Sequence, residues 1–169
     1  EATFRKALEV APKSLQTHLA LANFLWAVAR RDEAETTLKA ALALDPNDLT
    51  ANRALGMFYV SSGRIPDAEP YFKTIAMAAK TDAAMLGLAD YYVIAGRQSD
   101  ALPILRELTR KPETFASATM RMAAIDVALG ERVPAQAKLR DVMEKNPKDM
   151  TARVFSARLL AVDGKRDEA

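Results

Sequence analysis

The chain has 169 residues, of which 50% are hydrophobic, and its 24 lysines and arginines nearly balance 22 acidic residues. This apolar content excludes an intrinsically disordered chain, and a net charge of only +2 argues against a nucleic-acid or anionic-membrane surface, which would need a concentrated basic face. The chain has no cysteine, which excludes disulfides, thiolate chemistry and cysteine-based zinc sites but leaves both cytoplasm and periplasm open as compartments.

In chain order, amphipathic segments of about a dozen residues follow one another in pairs, and a breaker separates the two members of each pair. The pattern predicts the second helix of a truncated repeat over 1–14, four complete helix pairs over 15–48, 49–81, 82–115 and 116–149, and the first helix of another truncated repeat over 150–169. The chain therefore reads as a fragment of a longer protein. We expect five apolar residues near its ends to be more exposed than in the parent protein, or to be masked by contacts between copies: Phe4, Ala7, Leu8, Leu159 and Val162. No apolar run approaches the roughly 18 residues of a membrane-spanning helix.

A spacing test supports this organisation. Alanines recur with a period of about 34 residues, which is long enough for one helix pair. Each is followed one helical turn later by a large apolar residue: Ala34/Leu38, Ala68/Phe72, Ala101/Leu105 and Ala135/Leu139. Ala169 stands one further period along the chain, and shortly before each of these alanines stand Ala29, Gly63, Gly96, Gly130 and Gly164. At Gly63 we expect a left-handed conformation that ends the first helix of its pair.

Prolines share the same period. Pro12, Pro46 and Pro147 close units, with Pro112 one position early in the shorter unit. A second group follows the breakers, and we expect it in the first turns of second helices, where no backbone hydrogen bond is lost: Pro66, Pro70, Pro103 and Pro134. Asp67 and Asp100 are candidates for the N-caps of two of these helices.

The best copy of the repeat contains Leu55-Gly56, Tyr59, Ala68 and Phe72, and in residue type and spacing it resembles the tetratricopeptide repeat family. Other copies are weaker, and one has Asp126 where tyrosine is expected. The resemblance implies an all-α, right-handed superhelical solenoid of antiparallel helix pairs. It also implies that the first helix of each pair lines a concave face that binds a peptide or protein.

Transferring the family's inner-face positions onto this chain gives the candidate peptide-binding residues. They are Leu19, Asn23, Trp26, Arg53, Met57, Val60, Leu86, Asp90, Val93, Met120, Val127, Val154 and Arg158. This face is predicted to be mainly apolar, with Trp26 as its anchor, and it lacks the cluster of lysines and asparagines with which chaperone-binding members grip a terminal carboxylate. It suits an amphipathic helix or an extended apolar segment. The alternative is that several of these side chains only fill space between neighbouring first helices: Leu19, Trp26, Val60, Leu86 and Val93.

No catalytic, cofactor-binding or metal-binding residue is predicted, so the chain is expected not to be an enzyme. His18 is the only histidine, and its place at a structural position of a helix favours packing or capping over catalysis. Acidic residues such as Asp32 and Glu33 stand where second helices begin and complement the helix dipole. Expected partners are proteins or peptides, with no nucleic acid and no direct membrane insertion.

Three functions stay open at this point. The first is a binding scaffold within a larger bacterial assembly or export protein, since some bacterial exopolysaccharide-export and secretion proteins carry similar arrays. The second is a docking or regulatory domain of an enzyme whose catalytic part lies outside 1–169. The third is a structural array that self-associates end to end through its truncated repeats. The sequence leaves the compartment and the export of the parent protein undecided.

Overall fold

The computed structural model describes residues 1–162, which form ten α-helices and no strand. The helices are α1 (Ala2–Val10), α2 (Leu15–Ala27), α3 (Arg31–Leu44), α4 (Leu49–Ser61), α5 (Glu69–Ala79), α6 (Asp82–Ile94), α7 (Gln98–Leu108), α8 (Pro112–Ala128), α9 (Arg132–Lys145) and α10 (Met150–Val162). A 3-10 turn, Ile65–Ala68, precedes α5. The chain divides into two compact units, unit 1 over Glu1–Tyr91 and unit 2 over Tyr92–Ala169. The expected all-α fold is confirmed.

The turns between paired helices follow the predicted period. Gly63, Gly96 and Gly130 have φ values of 74°, 71° and 84°, and Ala29 adopts the same left-handed conformation with φ 61°. A side chain there brings Cβ close to the backbone, which is why glycine is the ordinary residue at this position. Ala29 therefore holds a strained place that the other turns fill with glycine. Gly164 and Ala169 lie outside the described residues.

Small residues let the helices of unit 1 approach one another. Ala34 and Ala68 are fully buried, and a Cβ placed on Gly56 of α4 would lie 3.1 Å from the ring of Phe72 on α5. That ring is itself stacked on Tyr91, with centroids 4.9 Å apart. The close approach explains why the Leu-Gly pair of the repeat carries glycine here.

In unit 2 the alanines at the corresponding positions of the repeat are also buried. Ala101 and Ala135 are fully buried, and Ala135 belongs to a core cluster with Ala123, Leu139 and Leu159. Leu159 is only 6% exposed, because it packs into this cluster. Of the other end residues, Ala7 and Val162 are exposed, whereas Phe4 and Leu8 are half-buried.

The position where tyrosine is replaced by aspartate has a matching change on the partner helix. In unit 1, the rings of Tyr59 on α4 and Tyr71 on α5 are stacked with centroids 5.6 Å apart. Two periods further along the chain, Asp126 on α8 takes the place of Tyr59 and Lys138 on α9 takes the place of Tyr71. There Asp126 accepts a hydrogen bond from Lys138 Nζ at 2.5 Å. An ion pair thus replaces an aromatic pair at the same contact between paired helices.

Two proline assignments from the sequence are wrong. Pro112 opens α8 instead of closing the preceding unit, because Lys111 is extended and proline is well suited to the first position of a helix. Helix α8 therefore begins earlier than the expected bound at 116. Pro103 lies inside α7, in its second turn, because that helix already begins at Gln98.

The N-cap assignments also need correction. Arg64 and Arg97 occupy the N-cap positions, and their guanidinium groups donate to Asp67 at 2.8 Å and Asp100 at 2.6 Å. The aspartates thus lie inside the first turn, where a carboxylate complements the helix dipole. Among residues 1–162, no helix combines the length and the apolar character needed to cross a membrane.

Candidate functional site

Helices α2 and α4, two of the first helices in unit 1, begin at caps of the same kind. Ser14 accepts a hydrogen bond from Thr17 N at 3.3 Å, and Asp48 accepts one from Ala51 N at 2.7 Å. His18 is 8% exposed, and its Nδ1 donates to the Ser14 carbonyl oxygen at 2.9 Å. The histidine therefore fixes the start of α2, which agrees with the structural role expected for it.

The candidate residues on α2 and α4 separate into exposed and half-buried members. Asn23 and Arg53 are exposed, and Met57 is 47% exposed. Trp26 is half-buried, with its ring edge-on to buried Phe58 of α4 at a centroid distance of 5.5 Å. Leu19 and Val60 are likewise half-buried. Trp26 therefore partly fills the space between α2 and α4, and the exposed candidates on these two helices are Asn23, Arg53 and Met57.

Arg53 differs from its neighbours in charge. It is the only Lys, Arg, Asp or Glu within α2 and α4. Within the part of the chain that the structure describes, its side chain forms no hydrogen bond or ion pair. Arg64, in contrast, binds two carboxylates, Glu35 at 2.6 Å and Asp67 at 2.8 Å. Arg53 is therefore a cation whose charge the described fold does not neutralise.

The other candidate residues of unit 1 lie on α6, where Leu86 and Asp90 are half-buried. In unit 2, Val93 is half-buried, and Met120 and Val127 pack against the core cluster. Val154 is 43% exposed and Arg158 is exposed. These two line a concavity of about 500 Å³ together with Met150, Thr151 and Phe155. Met120 and Val127 thus have a packing role, whereas Val154 and Arg158 are accessible.

An ionic network on the edge of α3 and α4 was missed by the sequence analysis. The half-buried carboxylate of Glu35 accepts hydrogen bonds from Tyr59 Oη at 2.7 Å and Arg64 at 2.6 Å, and pairs with Lys39 Nζ at 2.7 Å. Burial alone would raise the pKa of Glu35, but the bonds from Lys39, Tyr59 and Arg64 outweigh it and lower the pKa to about 2. Burial and the bond to Glu35 raise the pKa of Tyr59 to about 12.

The same arrangement occurs one repeat earlier. Arg30 pairs with Glu1 at 2.6 Å and with Glu33 at 2.5 Å, and Arg5 also contacts Glu33 at 2.9 Å. The signal that could have found these networks is a second spacing, since Glu1 and Arg30 are as far apart in the chain as Glu35 and Arg64. The Glu1–Arg30 and Arg5–Glu33 pairs join successive helix pairs, whereas Arg53 forms no such pair among residues 1–162. Among residues 1–162, no group of three or more acidic or histidine side chains could hold a metal ion.

Comparison with known proteins gives three findings. A family model described as Tetratricopeptide repeat matches residues 1–55 and 30–90. The chain is 25% identical over 154 residues to Cellulose synthase 1 operon protein C of Komagataeibacter xylinus, an alignment that covers 83% of this chain. It spans only 12% of that protein's length.

Solved structures with the same fold include YrrB, described as a TPR protein with an unusual peptide-binding site, and Pseudomonas aeruginosa PilF. YrrB has a TM-score of 0.62 at 22% identity, covering 96% of this chain and 84% of YrrB. PilF has a TM-score of 0.68 at 21% identity, covering 97% of this chain and 75% of PilF. At these identities the likeness concerns the fold alone.

Proposed function

Because the chain belongs to the tetratricopeptide repeat family, whose members are generally non-catalytic scaffolds for protein–protein interaction, we propose that it binds a protein or peptide segment through the first helices of its pairs. The helix bounds support treating 15–48 and 49–81 as the complete repeats of unit 1. The binding surface that we propose in unit 1 consists of Asn23, Arg53 and Met57 with the half-buried Trp26 and Val60, and we call it the α2–α4 face.

One observation carries this proposal. The side chains of Asn23 and Arg53 make no bond with residues 1–162, and 47% of Met57 is exposed, although each lies on a helix that packs well on its other side. Packing of α2 and α4 uses Leu25, Leu55 and Phe58, which are at most 2% exposed. The outward residues Asn23, Arg53 and Met57 are therefore not needed for the packing of these two helices. They offer an apolar contact and polar groups to a partner, as peptide-recognition grooves do.

The test is a selection of peptides from a random display library on the immobilised 169-residue chain. We expect recovered peptides to contain apolar residues at helical or extended spacing. The variant Met57→Ala should weaken the binding of a recovered peptide about tenfold, as expected for losing part of one buried apolar contact. The matched control is Met77→Ala on α5, where the methionine is 74% exposed, and it should leave binding unchanged.

Two results would contradict the proposal. Recovery of no peptide above background by a folded chain would remove the binding function. Equal effects of Met57→Ala and Met77→Ala would remove its assignment to the α2–α4 face. The fluorescence of Trp26 gives a second measurement, because it is the only tryptophan and its ring lies against Phe58. Binding at the α2–α4 face should change this fluorescence.

We further propose that the chain is a segment of a larger bacterial assembly or export protein. What supports a larger bacterial parent is the similarity to Cellulose synthase 1 operon protein C of Komagataeibacter xylinus over 83% of this chain, which corresponds to only 12% of that protein. Deleting the segment in frame from its parent protein and measuring exported polysaccharide would test it. Unchanged export with a stably produced parent would argue against it. Sedimentation of the chain would show whether self-association accompanies binding.

A further inference from the structure

The uncompensated charge on the α2–α4 face points to the chemistry of its partner. Resting on the proposed function, we infer that Arg53 selects a partner segment that carries a side-chain carboxylate beside an apolar side chain. The occupant is thus an acidic, amphipathic peptide segment of another protein. The same face would disfavour a basic segment.

The first step is the charge balance of the face itself. Helices α2 and α4 contribute Arg53 and no carboxylate. The arginines at the turns, Arg30 and Arg64, each bind two carboxylates of the chain, so their charge is already neutralised within the fold. Arg53 is exposed and forms no ion pair among residues 1–162. Its planar guanidinium presents donors that match both oxygens of a carboxylate.

The second step is the apolar neighbour. Met57 follows Arg53 by one helical turn, so the two side chains emerge from the same side of α4 with Cβ atoms about 6 Å apart. A partner that satisfies both would carry its acidic and apolar residues four positions apart on a helix, or two apart in an extended segment. Methionine accommodates apolar groups of different shapes, so the acidic position should be the more selective of the two.

The third step concerns where the partner's carboxylate comes from. The exposed positions of α4 continue on both sides of Arg53, to Thr50 before it and Met57 after it. A segment can therefore run through this region instead of ending in it. For this reason we assign the interaction to an acidic side chain and not to a peptide's terminal carboxylate.

The experiment compares the peptides that different variants of the 169-residue chain select from one display library with constant flanking residues at both ends. The wild-type chain should enrich Asp or Glu at one position, two to four positions from an enriched apolar one. Arg53→Gln should remove the acidic enrichment and keep the apolar one. Arg53→Glu should enrich Lys or Arg at the same position. Arg31→Gln changes an exposed arginine at the start of α3 and serves as the control that should match wild type.

The affinity of a synthetic peptide measures the size of the effect. Replacing the selected Glu by Gln in an amidated peptide should weaken binding to the wild-type chain about tenfold or more, as expected for a charge-assisted hydrogen bond, and binding to Arg53→Gln less than about twofold. Acidic enrichment that survives Arg53→Gln overturns the inference, and so does a requirement for a free terminal carboxylate. Apolar enrichment without an acidic position overturns this inference alone, whereas failure to select any peptide overturns the proposed function as well.

Discussion

Replacing Glu35 by glutamine should destabilise unit 1 and change how its stability depends on pH. Glutamine keeps the size of the side chain and an oxygen that can accept the Tyr59 hydrogen bond, but removes the charge that Lys39 and Arg64 bind. The native pKa of about 2, against an ordinary value of 4.5, corresponds to about 3 kcal/mol at most. Lys39 and Arg64 are 55% and 48% exposed, so solvent screening reduces the expected loss to about 1–2 kcal/mol.

The direction of the pH effect follows from the lowered pKa. A carboxyl group whose pKa is lower in the folded state stabilises the fold fully above its unfolded value, and that contribution is lost as the pH falls through the folded value. The wild-type advantage over Glu35→Gln should therefore be complete at neutral pH, begin to shrink below about pH 4.5 and be largely gone near pH 2.

Urea titrations followed by circular dichroism and by the fluorescence of Trp26 would measure the difference at neutral pH and near pH 3. The control is Glu107→Gln, which removes an exposed pair with Arg110 whose partners are 64% and 75% exposed, and it should cost less than about 0.5 kcal/mol. A Glu35→Gln loss no larger than the control's, or one that does not change between the two pH values, would show that the network does not stabilise the fold as we describe.

Three further predictions concern packing and can be checked by the same urea titrations. Gly56→Ala should lower the free energy of unfolding by about 1 kcal/mol despite alanine's higher helix propensity, because the added Cβ would lie only 3.1 Å from the Phe72 ring. Its control, Gly87→Ala, has nothing within 4 Å of the added Cβ and should raise the free energy of unfolding by about 0.5–1 kcal/mol. A change of the same sign in both variants would contradict the close approach at Gly56. Ala29→Gly should raise the free energy of unfolding by about 0.5–1 kcal/mol, because glycine adopts the left-handed conformation with φ 61° without strain. A lower free energy of unfolding would mean that Ala29 is not strained. Changing Asp126 and Lys138 together to tyrosine should lower the free energy of unfolding by about 1 kcal/mol less than the two single changes added together. Simple additivity would show that a tyrosine pair cannot replace the aspartate–lysine pair at this contact.

The turns of this fold could be predicted from the sequence because one residue type carries their geometry. The period placed Gly63, Gly96 and Gly130 at the ends of first helices, and it also identified Ala29 as the same position, which the φ values confirm. Pro112 was misassigned because proline ends one helix and begins another with equal ease, and only the helix bounds distinguish the two.

The surface was harder to predict than the fold. Family positions locate the residues of first helices but not the depth to which each is buried, so the sequence alone left open whether the half-buried Trp26 and Val60 line the face or fill space between helices. Ion pairs were missed because Glu35 and Arg64 lie on different repeats, so neither the helical period nor nearby charge patterns connect them. The accessibility of Arg53 likewise depends on which carboxylates the fold brings near each cation.

The exchange of a tyrosine pair for an aspartate–lysine pair has a consequence for how such modules can be recombined. Each contact joins the two helices of one hairpin, Tyr59 with Tyr71 and Asp126 with Lys138. A chimaera whose junction falls between these helices would set a ring against a charge and satisfy neither. Junctions placed in the loops between hairpins would carry both members together, so the hairpin, and not the single helix, is the unit that can be transplanted.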